Sequence, residues 1–126
     1  MTIQINEILE IIDELKRSTP NIKGISVVSS NGLTICSNLT DSEEEKVAAI
    51  TATLHSLGSN TITSFNRGDL HSLYIKSNNG YIIIGDINKS IVISVVTNFN
   101  MKIGVLLYEL QKVKARLEKL FKIEHS

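Results

Sequence analysis

Three histidines and one cysteine are the side chains of this 126-residue chain best suited to nucleophilic or general-base chemistry. His55 falls in a predicted helix, His71 falls in a predicted strand, and His125 lies near the end of the chain. None of them has a serine or cysteine at a spacing typical of a catalytic pair. The lone Cys36 lies in an alternating strand, where a buried free thiol is the usual outcome. We therefore predict that the protein is not an enzyme.

Patterns that bind phosphate or metal are equally scarce. No Gly-x-x-x-x-Gly-Lys-Ser/Thr motif occurs, so no nucleotide-binding loop is predicted. Four acidic residues, Asp41, Glu43, Glu44 and Glu45, could resemble a metal site. They fall in the first turn of a predicted helix, however, where the helix dipole favours negative charge. We expect no metal and no other cofactor.

The composition describes one domain, residues 1–126, of ordinary globular character. Its 13 basic and 13 acidic residues give a formal net charge of zero, which argues against nucleic-acid binding. The N-terminus lacks a basic region followed by an apolar run, so no signal peptide is predicted. The longest uncharged stretch, residues 47–66, is rich in Ser, Thr and Asn and would insert poorly into a bilayer. We expect a cytoplasmic protein with no direct membrane insertion.

Apolar periodicity predicts three helices and five strands. Helices are predicted over residues 3–17, over 41–65 and from 103 onward, and strands over 22–30, 33–37, 70–77, 81–85 and 91–97. Asn-Gly pairs predict two hairpin turns, a tight turn is predicted over 86–89, and Thr40 with Glu43 predicts a capping box. The order α-β-β-α-β-β-β-α describes an α+β protein, a three-layer α/β/α sandwich with a central five-stranded antiparallel sheet.

The second helix carries the most informative feature, because residues 47–66 contain no Lys, Arg, Asp or Glu. A helix with one face in water normally carries charges there. Helical projection separates a face of large apolar residues from a face of small ones. The large residues are Val47, Ile50, Leu54, Leu57 and Phe65, and the small ones are Ala48, Ala52, Ser56 and Ser59. The large residues are predicted to pack on the sheet, and the small residues to let a second helix approach closely. The alternative is a Ser- and Thr-rich helix that is simply exposed.

We therefore predict an isologous dimer, the commonest way for one chain to bury such a face. If the third strand is a sheet edge, it can pair with its own copy. The predicted interface comprises residues of the second helix and the third-strand region: Ala48, Thr51, Ala52, His55, Ser56, Ser59, Ile62, His71, Leu73 and Ile75.

Four segments of the chain resemble the roadblock/dynein light chain family. They are Gly24–Ile35, Asn66–Leu70, Asn79–Ile84 and Asn100–Gly104. The chain departs from the family at Ser30-Asn31, where many relatives carry an Asp. The resemblance spans about Ile5 to Phe121 and implies a profilin-like fold. It also implies a dimer in which the second helices pack together and the third strands join two sheets into one.

The resemblance implies partners as well as a fold. They are a second copy of the chain or another roadblock protein, and a Ras-like small GTPase. A non-enzymatic dimer that regulates such a GTPase is the function it favours. The alternative is a structural scaffold that pairs with other roadblock or longin-like proteins whatever their nucleotide state. A small-ligand sensor is a third candidate and would require a pocket.

Overall fold

A computed structural model describes residues 5–98 and 102–125, with side chains described up to residue 122. Its elements are α1 (Ile5–Ser18), β1 (Ile22–Ser29), β2 (Thr34–Ser37), α2 (Asp41–Ser64), β3 (Ser72–Ser77), β4 (Gly80–Asn88), β5 (Ile91–Thr97) and α3 (Ile103–His125). This is the predicted order of elements. The predicted helix start at residues 3–4 and the lead into the last helix at residues 99–101 lie outside the described part of the chain.

The strands form one antiparallel sheet in the order β2-β1-β5-β4-β3, so β3 lies at an edge. Helices α1 and α3 pack side by side on one face of the sheet, where α1 covers β1 and β2 and α3 packs on β4. Helix α2 crosses the opposite face. The three-layer architecture is therefore the predicted one.

The main core lies between the sheet and the pair formed by α1 and α3. Alternate residues of the central strands face this layer, among them the fully buried Ile25, Ile83 and Ile93. Helix α3 contributes a continuous buried seam of Leu106, Leu110, Val113, Leu117 and Phe121. The apolar spacing of three and four in its sequence therefore serves to cover the sheet.

The layer between α2 and the sheet combines small side chains with the buried Val28, Ile84 and Val92 of the strands. Ser26 and Ser94 are directly opposed on β1 and β5, and both are fully buried. Ala48 and Thr51, each 1% exposed, are the buried residues of α2. The prediction that the large residues of this helix pack on the sheet is therefore wrong. The small residues take that position, where their short side chains let the helix approach the sheet closely.

Two local predictions also differ from the structure. Residues 86–88, predicted as a turn, continue β4, so the connection to β5 is displaced to Lys89 and Ser90. The predicted capping box is not formed, because the Thr40 hydroxyl donates to the Glu43 carboxylate at 3.0 Å and caps no backbone N–H. The acidic first turn of α2 retains its favourable position at the helix N-terminus.

The first hairpin turn lies at the predicted Asn-Gly pair, but only the glycine of the pair has a positive φ. Gly32 has a φ of 87°, whereas Asn31 remains in the ordinary negative range. The Gly32 N–H donates to the Ser29 carbonyl oxygen at 3.0 Å, and the Ser29 N–H donates to the Leu33 carbonyl oxygen at 2.8 Å. The loop thus has three residues, with glycine in the position that requires a positive φ.

Among the described residues, no helix combines the length and apolar character needed to cross a bilayer.

Candidate protein-interaction site

The outer side of α2 and the adjoining edge strand form an apolar surface, which we call the α2–β3 surface. Its helical part runs from Ile50 to Phe65, and the rest comprises Leu70, which precedes β3, and Leu73 and Ile75 on β3. Leu57 is 61% exposed and Phe65 is 70% exposed, and Ile50 and Ile75 are also exposed. Large apolar side chains that remain in contact with water over a contiguous area usually mark an interaction site.

A groove of about 300 Å³ runs between α2 and β3 within this surface. Its lining is entirely uncharged and consists of Leu54, Leu57, Gly58, Thr61, Ile62, Leu70, Ser72, Leu73 and Ile75. Gly58 lets Leu70 lie close to α2, which keeps the groove narrow. A Cβ atom at this position would lie only 3.2 Å from Cδ2 of Leu70. The groove therefore offers a shaped apolar recess rather than a flat patch.

Strand β3 lies along the margin of the groove and offers backbone hydrogen-bonding groups to a partner, in addition to the apolar side chains. In the described part of the chain it pairs only with β4, from Ser72 opposite Gly85 to Ser77 opposite Gly80. Its outer row of backbone N–H and C=O groups faces away from the sheet. Such an edge is a template for pairing with a strand from another chain.

A polar cleft of about 470 Å³ lies beside α2, between the residues that lead into β3, the end of β4 and α3. His55 and Asp86 meet in it, with 2.8 Å between Nε2 and Oδ1, and so link α2 to β4. Asp69, His71, Lys89 and Glu118 are further charged or titratable residues of the lining. The sequence did not indicate the His55–Asp86 pair, because Asp86 was assigned to a turn.

The chemistry of this cleft is limited by what surrounds the histidine. A histidine oriented by a carboxylate is one part of a proton-transfer system, but in the described residues no nucleophilic side chain hydrogen-bonds to His55. No three His, Cys, Asp or Glu residues among them are grouped so as to hold a metal ion. Lys114 donates from Nζ to the His71 carbonyl oxygen at 3.2 Å, and burial lowers the pKa of this lysine.

Cys36 is buried on β2, with its Sγ directed to the Ile5 carbonyl oxygen at 3.8 Å. Burial, reinforced by the negative charges of Asp13 and Glu44, raises the pKa of the thiol. Because the thiolate is the reactive form, we expect a thiol reagent to modify the folded protein at least about tenfold more slowly than the unfolded protein. The rate of release of thionitrobenzoate, with and without denaturant, measures this. Equal rates would contradict the buried position.

A family model of the Roadblock/LC7 domain matches residues 8–97, which is more than half of the chain. The chain belongs to the Roadblock/LC7 family. The predicted family is therefore correct, and three of the four segments that suggested it lie within the match, whereas Asn100–Gly104 lies outside it. No sequence among the curated proteins matches the chain.

Solved structures share the fold of this roadblock domain at low sequence identity. A Roadblock/LC7 domain from Streptomyces avermitilis has a TM-score of 0.85 at 17% identity, over 90% of this chain and 97% of that one. MglB from Myxococcus xanthus has a TM-score of 0.86 at 16% identity, over 94% of this chain and 98% of that one. Profilin II from Acanthamoeba castellanii has a TM-score of 0.61 at 16% identity, over 86% of this chain and 94% of that one. The profilin-like character of the fold is thus confirmed.

The roadblock fold distributes the predicted interface residues over three environments. Ile62, Leu73 and Ile75 line the apolar groove. His55, Ser59 and His71 line the polar cleft, and Ala52 and Ser56 lie near the β1–β2 turn. The prediction is wrong for Ala48 and Thr51, because both are already buried against the protein's own sheet.

The large apolar residues of α2 were missed as interface candidates. Ile50, Leu54, Leu57 and Phe65 had been assigned to the sheet-facing side, although three of the four are exposed. The signal that could have found them is the absence of charge on every side of the helix from residue 47 onward, which predicts a partner on both faces without showing which residues meet which partner.

Proposed function

We propose that this roadblock protein is a cytoplasmic homodimer that associates through its α2–β3 surface and binds a Ras-like small GTPase, whose nucleotide cycle it regulates or scaffolds without catalysis of its own. The observation that supports this proposal best is the coincidence of an uncharged apolar groove with an unpaired strand edge on one surface of a roadblock domain. The family provides the link to GTPases, as the resemblance implied.

A twofold axis beside β3 accounts for both parts of the surface. Antiparallel pairing of β3 with its copy would join two sheets into one and satisfy the outer backbone groups of both strands. The same axis brings the outer sides of the two α2 helices together. Ile50, Leu57 and Phe65 would then lose their contact with water, which is the main favourable contribution to association.

A regulator of this kind does not need to donate a catalytic side chain. Arg67 is the only arginine outside α1 and α3, and it lies exposed in the turn that follows α2. A dimer that orders the mobile switch loops of a GTPase would accelerate hydrolysis through the residues of the GTPase itself. We therefore propose binding to the nucleotide-sensitive surface of the GTPase rather than insertion of an arginine.

Affinity capture from a lysate of the source cells tests the proposal, with parallel samples containing excess GDP or a non-hydrolysable GTP analogue. We expect a small GTPase, identified by mass, to be retained in only one nucleotide state. Its hydrolysis rate is then measured with purified components at saturating roadblock protein. Absence of any GTPase under both conditions would contradict the proposed regulatory role.

A scaffold role is the second candidate, since the edge of β3 can pair with any strand that presents a matching edge. In that case a different roadblock-type chain would occupy the α2–β3 surface. The capture experiment separates the two roles, because a scaffold partner would be retained equally with GDP and with the GTP analogue.

A further inference from the structure

The edge strand β3 carries a fixed pattern of outward hydrogen-bonding groups. The Asp86 N–H donates to the His71 carbonyl oxygen at 3.0 Å, and these two residues continue the β3–β4 register by one pair. Hydrogen-bonded pairs alternate with non-hydrogen-bonded pairs along an antiparallel ladder. Every second residue from His71 onward therefore bonds to β4, and the residues between them direct their backbone N–H and C=O groups away from the sheet: Ser72, Tyr74 and Lys76.

The two faces of the sheet restrict how β3 can pair with its own copy. This step rests on the proposed homodimer. Tyr74 lies on the side of α1 and α3, because it pairs with Ile83 of the main core, whereas Leu73 and Ile75 line the groove on the α2 side. A twofold axis between antiparallel neighbouring strands is perpendicular to the sheet and keeps each side chain on its own face. Since the faces alternate along a strand, one residue of β3 must lie on the axis, opposite its own copy.

The outward groups favour Tyr74 as the residue on the axis. Ser72 of each protomer then lies opposite Lys76 of the other, and all three outward residues form hydrogen-bonded pairs, with about six hydrogen bonds in total. With Leu73 or Ile75 on the axis, only two such pairs form within β3, with about four hydrogen bonds. With Lys76 on the axis, two positive charges would face each other directly, which is unfavourable.

The same register matches the side chains on both faces of the joined sheet. On the α2 side, Leu73 lies opposite Ile75 of the other protomer, so the apolar lining of the groove continues across the axis. On the other side, the two Tyr74 residues are direct neighbours, with about 5.5 Å between their Cα atoms. Tyr74 is 52% exposed in the single chain, and contact between the two rings would reduce this exposure.

We infer that Tyr74 lies on the twofold axis opposite its own copy, and that this position determines whether the chain pairs with itself or with a different roadblock chain. An uncharged tyrosine accepts a second tyrosine. A charged residue at the same position would oppose an identical charge in every homodimer, and it would favour a partner chain of opposite charge. Recognition of self thus depends on one residue that faces itself.

Two variants of opposite charge test this inference, with a purification tag on one of them so that the three possible dimers differ in mass. Tyr74→Lys alone and Tyr74→Glu alone each place like charges opposite each other, and we expect their dissociation constants as homodimers to rise at least about tenfold. In an equimolar mixture the opposite charges face each other. Native mass spectrometry is therefore expected to show about 90% heterodimer, whereas random pairing gives one half.

Two controls separate the position on the axis from a general effect of charge. Tyr108 is a similarly exposed tyrosine (65%) on α3, where it contacts Lys112. A mixture of Tyr108→Lys with Tyr108→Glu is expected to pair randomly. Lys76→Glu changes a charge on β3 that faces Ser72 rather than itself, so its homodimer is expected to keep the dissociation constant of the wild type within about threefold.

The mass of the wild-type protein is measured first by light scattering, so that the two proposals fail in different ways. A monomer contradicts the homodimer and, with it, the position of Tyr74. A dimer whose Tyr74 variants pair randomly overturns the position of Tyr74 alone. A tighter Tyr74→Glu homodimer overturns it as well, because that result is expected if Ile75 lies on the axis and Tyr74 faces Lys76 of the other protomer.

Discussion

Replacement of Leu57 by glutamate is expected to convert the proposed dimer into a monomer. Leu57 lies in the middle of α2, lines the apolar groove and is 61% exposed in the single chain. A carboxylate at this position is solvated in the monomer but would be buried without a partner in the dimer. A penalty of about 3 kcal/mol or more corresponds to at least a 100-fold rise in the dissociation constant. Light scattering over a concentration series measures the change in mass.

Tyr108→Glu is the control for this experiment. Tyr108 is as exposed as Leu57, at 65%, but it lies on α3, on the opposite side of the sheet. It introduces the same charge at a similar solvent exposure, so any general effect of an added carboxylate is shared. We expect this variant to keep the mass of the wild type. Dissociation of both variants, or of neither, would contradict the assignment of the α2–β3 surface as the interface.

Gly80→Ala is expected to destabilise the folded chain strongly. Gly80 is buried at the start of β4 with a φ of 137°, a backbone conformation that is essentially restricted to glycine. An added Cβ atom would overlap the Thr97 carbonyl oxygen and lie 2.8 Å from Thr97 Oγ1. That hydroxyl accepts the buried N–H of Tyr81 at 2.7 Å. Strain and displacement together are expected to lower the free energy of unfolding by about 3–5 kcal/mol.

Substitutions at two other glycines distinguish the free-energy cost of backbone strain from the cost of steric overlap. Gly68 has a φ of 89° but open space around the missing side chain, so Gly68→Ala is expected to cost only about 1–2 kcal/mol. Gly104 lies in α3, also in open space, and Gly104→Ala is expected to add about 0.5–1 kcal/mol of stability. Denaturant unfolding measures all three variants. A loss at Gly80 no larger than the loss at Gly68 would show that contact with Thr97 is unimportant.

Elements whose large apolar residues face a single core could be predicted from the sequence. Strand β5 has the predicted bounds of residues 91–97, and the apolar seam of α3 lies buried as its spacing indicated. In both cases a regular pattern of large apolar residues faces a single core. The layers follow from the order of such elements, whereas the family was inferred from the four segments that resemble it.

The sequence was ambiguous where two apolar or uncharged faces share one helix. Projection of α2 separates Leu57 from Ala48 but does not show which of the two meets the sheet. That choice depends on the sheet surface opposite α2, which includes Ser26 and Ser94 and is assembled from strands that lie distant in sequence. The His55–Asp86 pair was missed for a similar reason, because it joins residues that only the extension of β4 brings together.

The small number of α2 residues that are buried against the sheet has a consequence for what stabilises this helix. Of the 24 residues of α2, only Ala48 and Thr51 are buried within the chain, so this helix gains less from its own sheet than α1 or α3 does. Much of the free energy that holds α2 in place would come from whatever covers its outer side. In the proposed homodimer, assembly and the ordering of α2 would be thermodynamically linked, and protein concentration would affect how stably this helix is held in place.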